Sequence, residues 1–174
     1  VDGAEDEAAI LNPQGTVPCC QLWLGRGEHR LSKRLYANRD FHVSILGGFA
    51  GSETAAEDRD PEANHTAVVL DGCQLLFTRW AHQLTVDGLT IRDGEAEHGG
   101  AIDIFGSYGG GNNILISNVD FVNCRARLGG GAVRIQRASK GLETRNLRIV
   151  DCRFINCSAT GSEEISGGGA VMIE

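Results

Sequence analysis

The chain has 174 residues, 24 of them glycine and 3 proline, and a formal charge of −7, a size that fits one domain of ordinary dimensions. The acidic balance is unfavourable for a nucleic-acid partner and for docking on an anionic membrane surface. No apolar run reaches the roughly 18 residues of a spanning helix, so membrane insertion is not expected.

Residues 1–19 begin acidic and alanine-rich, then turn polar around Pro13, Gly15 and Pro18, and read as a lead-in or the remnant of a cap. The chain starts at Val1 without a signal-peptide apolar region, so a processed or truncated product is expected. Cys20-Gln21-Leu22-Trp23-Leu24 alternates apolar and polar and predicts a strand; a second strand runs from Glu28 to Leu31 after Gly25-Arg26-Gly27. Trp23 is assigned to the apolar register of its strand, as a core or end-cap residue rather than a sugar platform. Between Phe41 and Thr54, Gly47-Gly48 makes a tight corner beside Phe49. The acidic stretch from Glu53 to Asn64 reads as a surface excursion, and Val68-Val69-Leu70 returns as a strand.

The second half is built from three repeats, each running from a short apolar strand to a Gly-Gly-Ala. Val86, Ile116 and Ile149 share one register position, Leu89, Val119 and Cys152 another, and Ile91, Phe121 and Phe154 a third. The first-column residues lie 30 and 33 positions apart, and a period of this order is the mark of a solenoid or propeller. Apolar residues alternate with polar ones, and no helical periodicity is sustained. A propeller blade needs about 40 to 50 residues, so the shorter period predicts a parallel β-helix. The turns Gly99-Gly100-Ala101, Gly130-Gly131-Ala132 and Gly168-Gly169-Ala170 are expected to use glycine for positive φ and for close approach of stacked backbone, with alanine pointing inward. The loop from Ala159 to Gly167 is longer than its counterparts, which suits one open face of a coil.

These Gly-Gly-Ala-[Ile/Val] segments, following strands that contain Phe121 and Phe154, resemble the repeats of polymorphic outer-membrane proteins and related right-handed β-helix proteins of the pectin-lyase-like superfamily. Phe41-His42-Val43-Ser44-Ile45-Leu46-Gly47-Gly48-Phe49-Ala50-Gly51-Ser52-Glu53-Thr54 is similar to that family's V-x-I-x-G-G-F-A-G-T-E-T segment, and Arg59-Asp60 with Asn64, Thr66 and Asp71-Gly72 to its continuation. The opening stretch Cys20 to His29 also resembles the family's first coil. The resemblance covers roughly residues 20 to 173 and implies an all-β, right-handed parallel β-helix of about six coils, as one domain over 20–174. It also implies an inward asparagine after each repeat phenylalanine; here Cys124 and Cys157 stand there, which suggests a cysteine stack in place of an asparagine ladder. The chain ends at Glu174 in mid-coil, so further coils, a partner or self-association at that end are expected.

Six cysteines without C-x-x-C spacing do not form a metal motif, and no cofactor is expected. Cys124 and Cys157 occupy equivalent positions of adjacent coils, where strand spacing is compatible with a disulfide; a buried free-thiol stack is the favoured reading. Of the two sequons, Asn64-His65-Thr66 sits on the excursion and is the glycosylation candidate, and Asn156-Cys157-Ser158 lies in a strand.

Enzymes of this fold act on acidic polysaccharides, using a base with arginine or Ca²⁺ in lyases and paired carboxylates in hydrolases. Arg92, Asp93, His98 and Asp103 are the catalytic candidates, and Glu95, Glu97, Arg125, Arg127 and Arg134 the binding candidates, because all cluster about the Gly-Gly-Ala turns. No carboxylate pair recurs at one register, and loop charges at such turns commonly form a solvated face. The expected function is therefore a non-catalytic extracellular or cell-surface β-helix module with a structural, adhesive or surface-assembly role and a candidate polysaccharide ligand. The alternative is a fragment of a polysaccharide lyase or hydrolase.

Overall fold

The computed structural model describes residues 19–38, 42–79, 83–105, 113–136, 146–161 and 168–174. The first strands are β1 (Cys19–Gly25), β2 (Gly27–Leu31), β3 (Leu35–Asn38), β4 (His42–Phe49), β5 (Thr66–Leu70) and β6 (Leu76–Arg79). They are followed by β7 (Gln83–Arg92), β8 (Glu95–His98), β9 (Ile102–Phe105), β10 (Asn113–Val122), β11 (Arg125–Gly129) and β12 (Val133–Gln136). The last are β13 (Leu147–Val150), β14 (Arg153–Ile155), β15 (Ser158–Ala159) and β16 (Val171–Ile173). A single 3₁₀ turn, Ala56–Asp58, interrupts the strands among the described residues.

Strand pairing among the described residues is parallel throughout. The strands form an eight-stranded sheet ordered β1-β4-β7-β10-β13 with β2, β5 and β14 alongside, a three-stranded sheet β8-β11-β15 and a five-stranded sheet β3-β6-β9-β12-β16. From β7 onward the chain visits the first, second and third sheets in that order, then repeats. Each strand therefore hydrogen-bonds to its equivalent one repeat away, and like residues stack on like.

The resulting columns are the repeat columns of the sequence. Val86 pairs with Ile116 and Ile116 with Ile149; Ile91 pairs with Phe121 and Phe121 with Phe154. The rings of Phe121 and Phe154 lie 5.0 Å apart and nearly parallel. In the third sheet Leu35, Leu76, Ile102, Val133 and Val171 form another column. These residues, with Leu84, Ile104, Ile114 and Ile135, belong to one hydrophobic cluster between the sheets. Each fully buried aliphatic side chain contributes about 1.5–3 kcal/mol.

The turns explain why stacking is tight. Gly72, Asp93, Asn123 and Asn156 all take left-handed φ at the exit from the first sheet. Glycine, asparagine and aspartate tolerate that region because their side chains are absent or short and polar. Asn123 Nδ2 donates to Asp93 Oδ1 at 3.2 Å, and Asn156 Nδ2 to Asn123 Oδ1 at 3.3 Å. An exposed Asp93-Asn123-Asn156 ladder thus occupies the residues just before Gly94, Cys124 and Cys157, and Cys124 and Cys157 stand side by side at the position where a cysteine stack was expected. In the Gly-Gly-Ala turns, Gly99, Gly130 and Gly168 have positive φ. A Cβ on Gly100 would sit 2.3 Å from the Gly131 carbonyl oxygen, and Ala101 and Ala132 are fully buried.

Trp23 departs from its expected register. It pairs with Leu46 while Leu22 pairs with Ile45, so Trp23 lies on the outer face, stacked 4.7 Å from Phe49 with the rings within 8° of parallel. The excursion after Phe49 folds back over the first sheet. Arg59 donates to the Gly47 carbonyl at 2.9 Å and to the buried Asp87 carboxylate, which also accepts from Ser117 and Asn118.

Candidate functional site

Alternation along the third sheet decides which residues face outward. Leu76 and Thr78 are buried, so Phe77 between them points away from the core, and the outward column runs Tyr36, Phe77, Asp103, Arg134 and Met172. The second sheet borders this face with Glu95, Glu97 and His98 of β8. With Phe77, Asp103 and Arg134 these line a groove of about 530 Å³, to which Arg34, Arg79 and Phe105 also contribute.

Its floor carries an ion pair. Arg134 Nε donates to Asp103 Oδ1 at 3.0 Å, and the side chains are only 7% and 6% exposed. The pair extends along the face: Arg134 Nη2 donates to Gln136 Oε1 at 2.9 Å, and Gln136 Nε2 to Glu174 Oε2 at 3.0 Å. Burial raises the Asp103 pKa, with Arg134 acting in the opposite direction. His98 is shifted down, first by burial and then by the Arg134 charge, which favours the neutral imidazole. At the rim Arg127 donates to Glu97 at 2.6 Å and lowers that carboxyl. Phe77 forms an aromatic patch, with the Arg34 and Arg79 guanidinium carbons 5.0 and 5.4 Å from its ring centre. Both distances are within cation–π range.

The groove brings together His98, Asp103, Glu95, Glu97 and Arg134 of the residues singled out from the sequence. Arg127 joins through Glu97, and Arg125 lies in register with Glu95. Arg92 and Asp93 do not join them. They belong to the end of β7 and the turn after it, where Arg92 binds Glu28 at 2.5 Å and Asp93 at 3.0 Å, and Asp93 heads the amide ladder. Arg34, Phe77, Arg79 and Phe105 escaped sequence reasoning. Phe77 and Arg79 come from a pass without a Gly-Gly-Ala signature; aligning Leu76 with Ile102 and Val133 would have placed Phe77 beside Asp103.

A second groove, of about 550 Å³, lies between the excursion and the first sheet and is lined by Pro61, His65, Thr90, Asp120, Cys152 and Arg153, among others. There Arg153 grips both oxygens of Asp120. Asn64 is half-buried on the excursion, and its amide donates to the Gly48 carbonyl at 3.3 Å. Among the described residues no group of three or more His, Cys, Asp or Glu could hold a metal ion, and no helix is long and apolar enough to cross a membrane.

Chemically, the first groove offers a flat apolar ring, guanidinium donors and a neutral imidazole. An aromatic face of this kind can pack against a flat ligand face while the polar groups hydrogen-bond at its edge. Comparison with protein-family models, with curated proteins and with solved structures finds no match.

Proposed function

We propose that the chain is a right-handed parallel β-helix of the pectin-lyase-like kind. In this reading it works as a non-catalytic extracellular or cell-surface module with a structural, adhesive or surface-assembly role, and it holds a carbohydrate chain in the groove over the third sheet. Exclusively parallel pairing in the described residues, the fixed order of sheet visits and the columns of like residues support the architecture. The observation that carries the role is the engagement of two of the three carboxylates lining the groove: Asp103 is tied to Arg134 and Glu97 to Arg127, across neighbouring strands in each case. Carboxylates held this way brace the wall and leave Phe77 and Arg79 to meet a ligand.

The outer edge formed by β13 to β16 exposes Ile155 (42%) and Ile173 (61%). Coverage of this edge, by further coils or by a second copy, is part of the proposal. A monomer of this chain in light scattering at high protein concentration would count against the second copy.

A lyase or hydrolase acting on acidic polysaccharide is the second reading, favoured by the raised Asp103 carboxyl near a neutral His98. One experiment separates the two: calorimetry with neutral and acidic oligosaccharides on the wild type, Phe77→Ala and Arg79→Ala, with product analysis of the same mixtures. Binding without new reducing or unsaturated ends, weakened about tenfold or more by either substitution, is expected. Turnover abolished by His98→Gln would replace the binding module with an enzyme, and silence across the whole panel would overturn the carbohydrate ligand.

A further inference from the structure

The amide ladder places two cysteines side by side on neighbouring passes, away from the groove. Arg125 pairs with Ser158, and the Ser158 amide donates to the Cys124 carbonyl at 3.0 Å, so the preceding residues Cys124 and Cys157 stand opposite one another. In-register parallel strands lie about 4.8 Å apart, within the Cα separations that a disulfide spans. Both thiols are free, and they differ in access: Cys124 is fully buried and Cys157 half-buried.

We propose that Cys124 and Cys157 form a thiol–disulfide exchange site, with Cys157 the attacking sulfur toward a low-molecular-weight disulfide and Cys124 the resolving sulfur. The Cys157 thiolate attacks one sulfur of the small disulfide, a protein–small-molecule mixed disulfide forms, and one small thiolate leaves. Cys124 then loses its proton, its sulfur attacks the Cys157 sulfur, and the second small thiolate leaves. The pair has been oxidised by two electrons and the small disulfide reduced to two thiols.

The asymmetry of the site assigns the roles. Cys157 is the more accessible sulfur, and its pKa is brought down to about 7 by the adjacent Cys124, whereas that neighbour and burial push Cys124 up; the Cys124 thiol itself donates to the Ile91 and Val122 carbonyls at 3.8 and 3.6 Å. Carbonyls of Phe121 and Ile155 also lie 3.4 and 3.6 Å from the Cys157 sulfur and would repel its thiolate. Depth therefore sets the order, the accessible Cys157 sulfur meeting the small disulfide first and the buried Cys124 sulfur following. Cys73 and Cys152, by contrast, are raised by burial and serve as internal references. Attack requires the thiolate, so near neutral pH Cys157 is expected to react about tenfold or more faster than either.

The test uses oxidised glutathione on the full chain near neutral pH, with peptide mapping over time. Wild type is expected to end with a Cys124–Cys157 disulfide and no retained glutathione on these residues. Cys124→Ser, which keeps a hydroxyl donor but cannot resolve, is expected to accumulate one glutathione on Cys157. Cys124→Ala, which removes the adjacent thiol, is expected to shift the alkylation profile of Cys157 to higher pH. Labelling of Cys157 no faster than Cys152 and Cys73 in the wild type would overturn the proposal without recourse to any variant, as would a mixed disulfide persisting on wild-type Cys157.

Discussion

Asp103 and Arg134 face each other across β9 and β12 in the floor of the groove, in hydrogen-bonding register and almost sealed from solvent. A pair so placed need not outweigh the cost of desolvating two charges, yet losing one partner strands the other. Arg134→Met and Asp103→Leu are each expected to destabilise the chain by about 3–5 kcal/mol, and the double variant to recover much of that loss. Chemical denaturation of the four proteins measures it; a double variant as unstable as the sum of the singles would refute the coupling.

His98 sets a pH dependence of known sign. Its folded pKa lies below the ordinary value of 6.5, so between those values the unfolded chain binds more protons than the folded one. Its contribution to stability is therefore complete above pH 6.5 and is lost as pH falls from 6.5 through the folded pKa. His98→Gln should flatten that limb. The readout is the difference in unfolding free energy between wild type and variant along a pH series, and a difference that does not change across the window would contradict the assignment.

The glycines test the stacking itself. A Cβ on Gly100 would meet backbone of two neighbouring segments, at 2.3 Å from Gly131 O and 2.5 Å from Arg125 O. Backbone cannot move aside as a side chain can, and Gly100→Ala is expected to cost at least about 3 kcal/mol. Gly169, its counterpart in the later turn, meets nothing within 4 Å among the described residues, so Gly169→Ala should be neutral or stabilising by up to about 1 kcal/mol in this chain. Thermal melts of both variants decide, and equal losses would refute a clash created by the neighbouring pass.

Thr78 interrupts an otherwise apolar column containing Ile104 and Ile135, and its hydroxyl is buried with no hydrogen-bond partner among the described residues. Thr78→Val keeps the shape and removes an unsatisfied polar group, so a gain of about 1 kcal/mol is expected in denaturant melts. A loss would reveal a partner for the hydroxyl in solution.

Much of this arrangement was legible in the order of residues. Alternation of apolar residues, left-handed turn residues at a period near 30 and in-register Gly-Gly-Ala segments are local signals. They already determined short strands, inward alanines and the columns of Val86 with Ile116 and Ile91 with Phe121. The same logic named His98, Asp103 and Arg134 as neighbours, because they flank equivalent turns.

What tertiary structure alone decided is which side of the molecule each charge occupies. Arg92 and Asp93 adjoin Glu95 in sequence, but the left-handed residue at Asp93 turns the chain from one sheet into the next, so the neighbours part. Phe77 and Arg79 reach Asp103 from a pass that carries no repeat signature, and Trp23 faces outward because its strand pairs Leu22, not Trp23, with the buried Ile45. The difference between Cys124 and Cys157 is likewise one of depth. Composition and spacing are properties of a single strand, whereas a groove, an ion pair or a thiol pair is made by residues that only parallel stacking brings together.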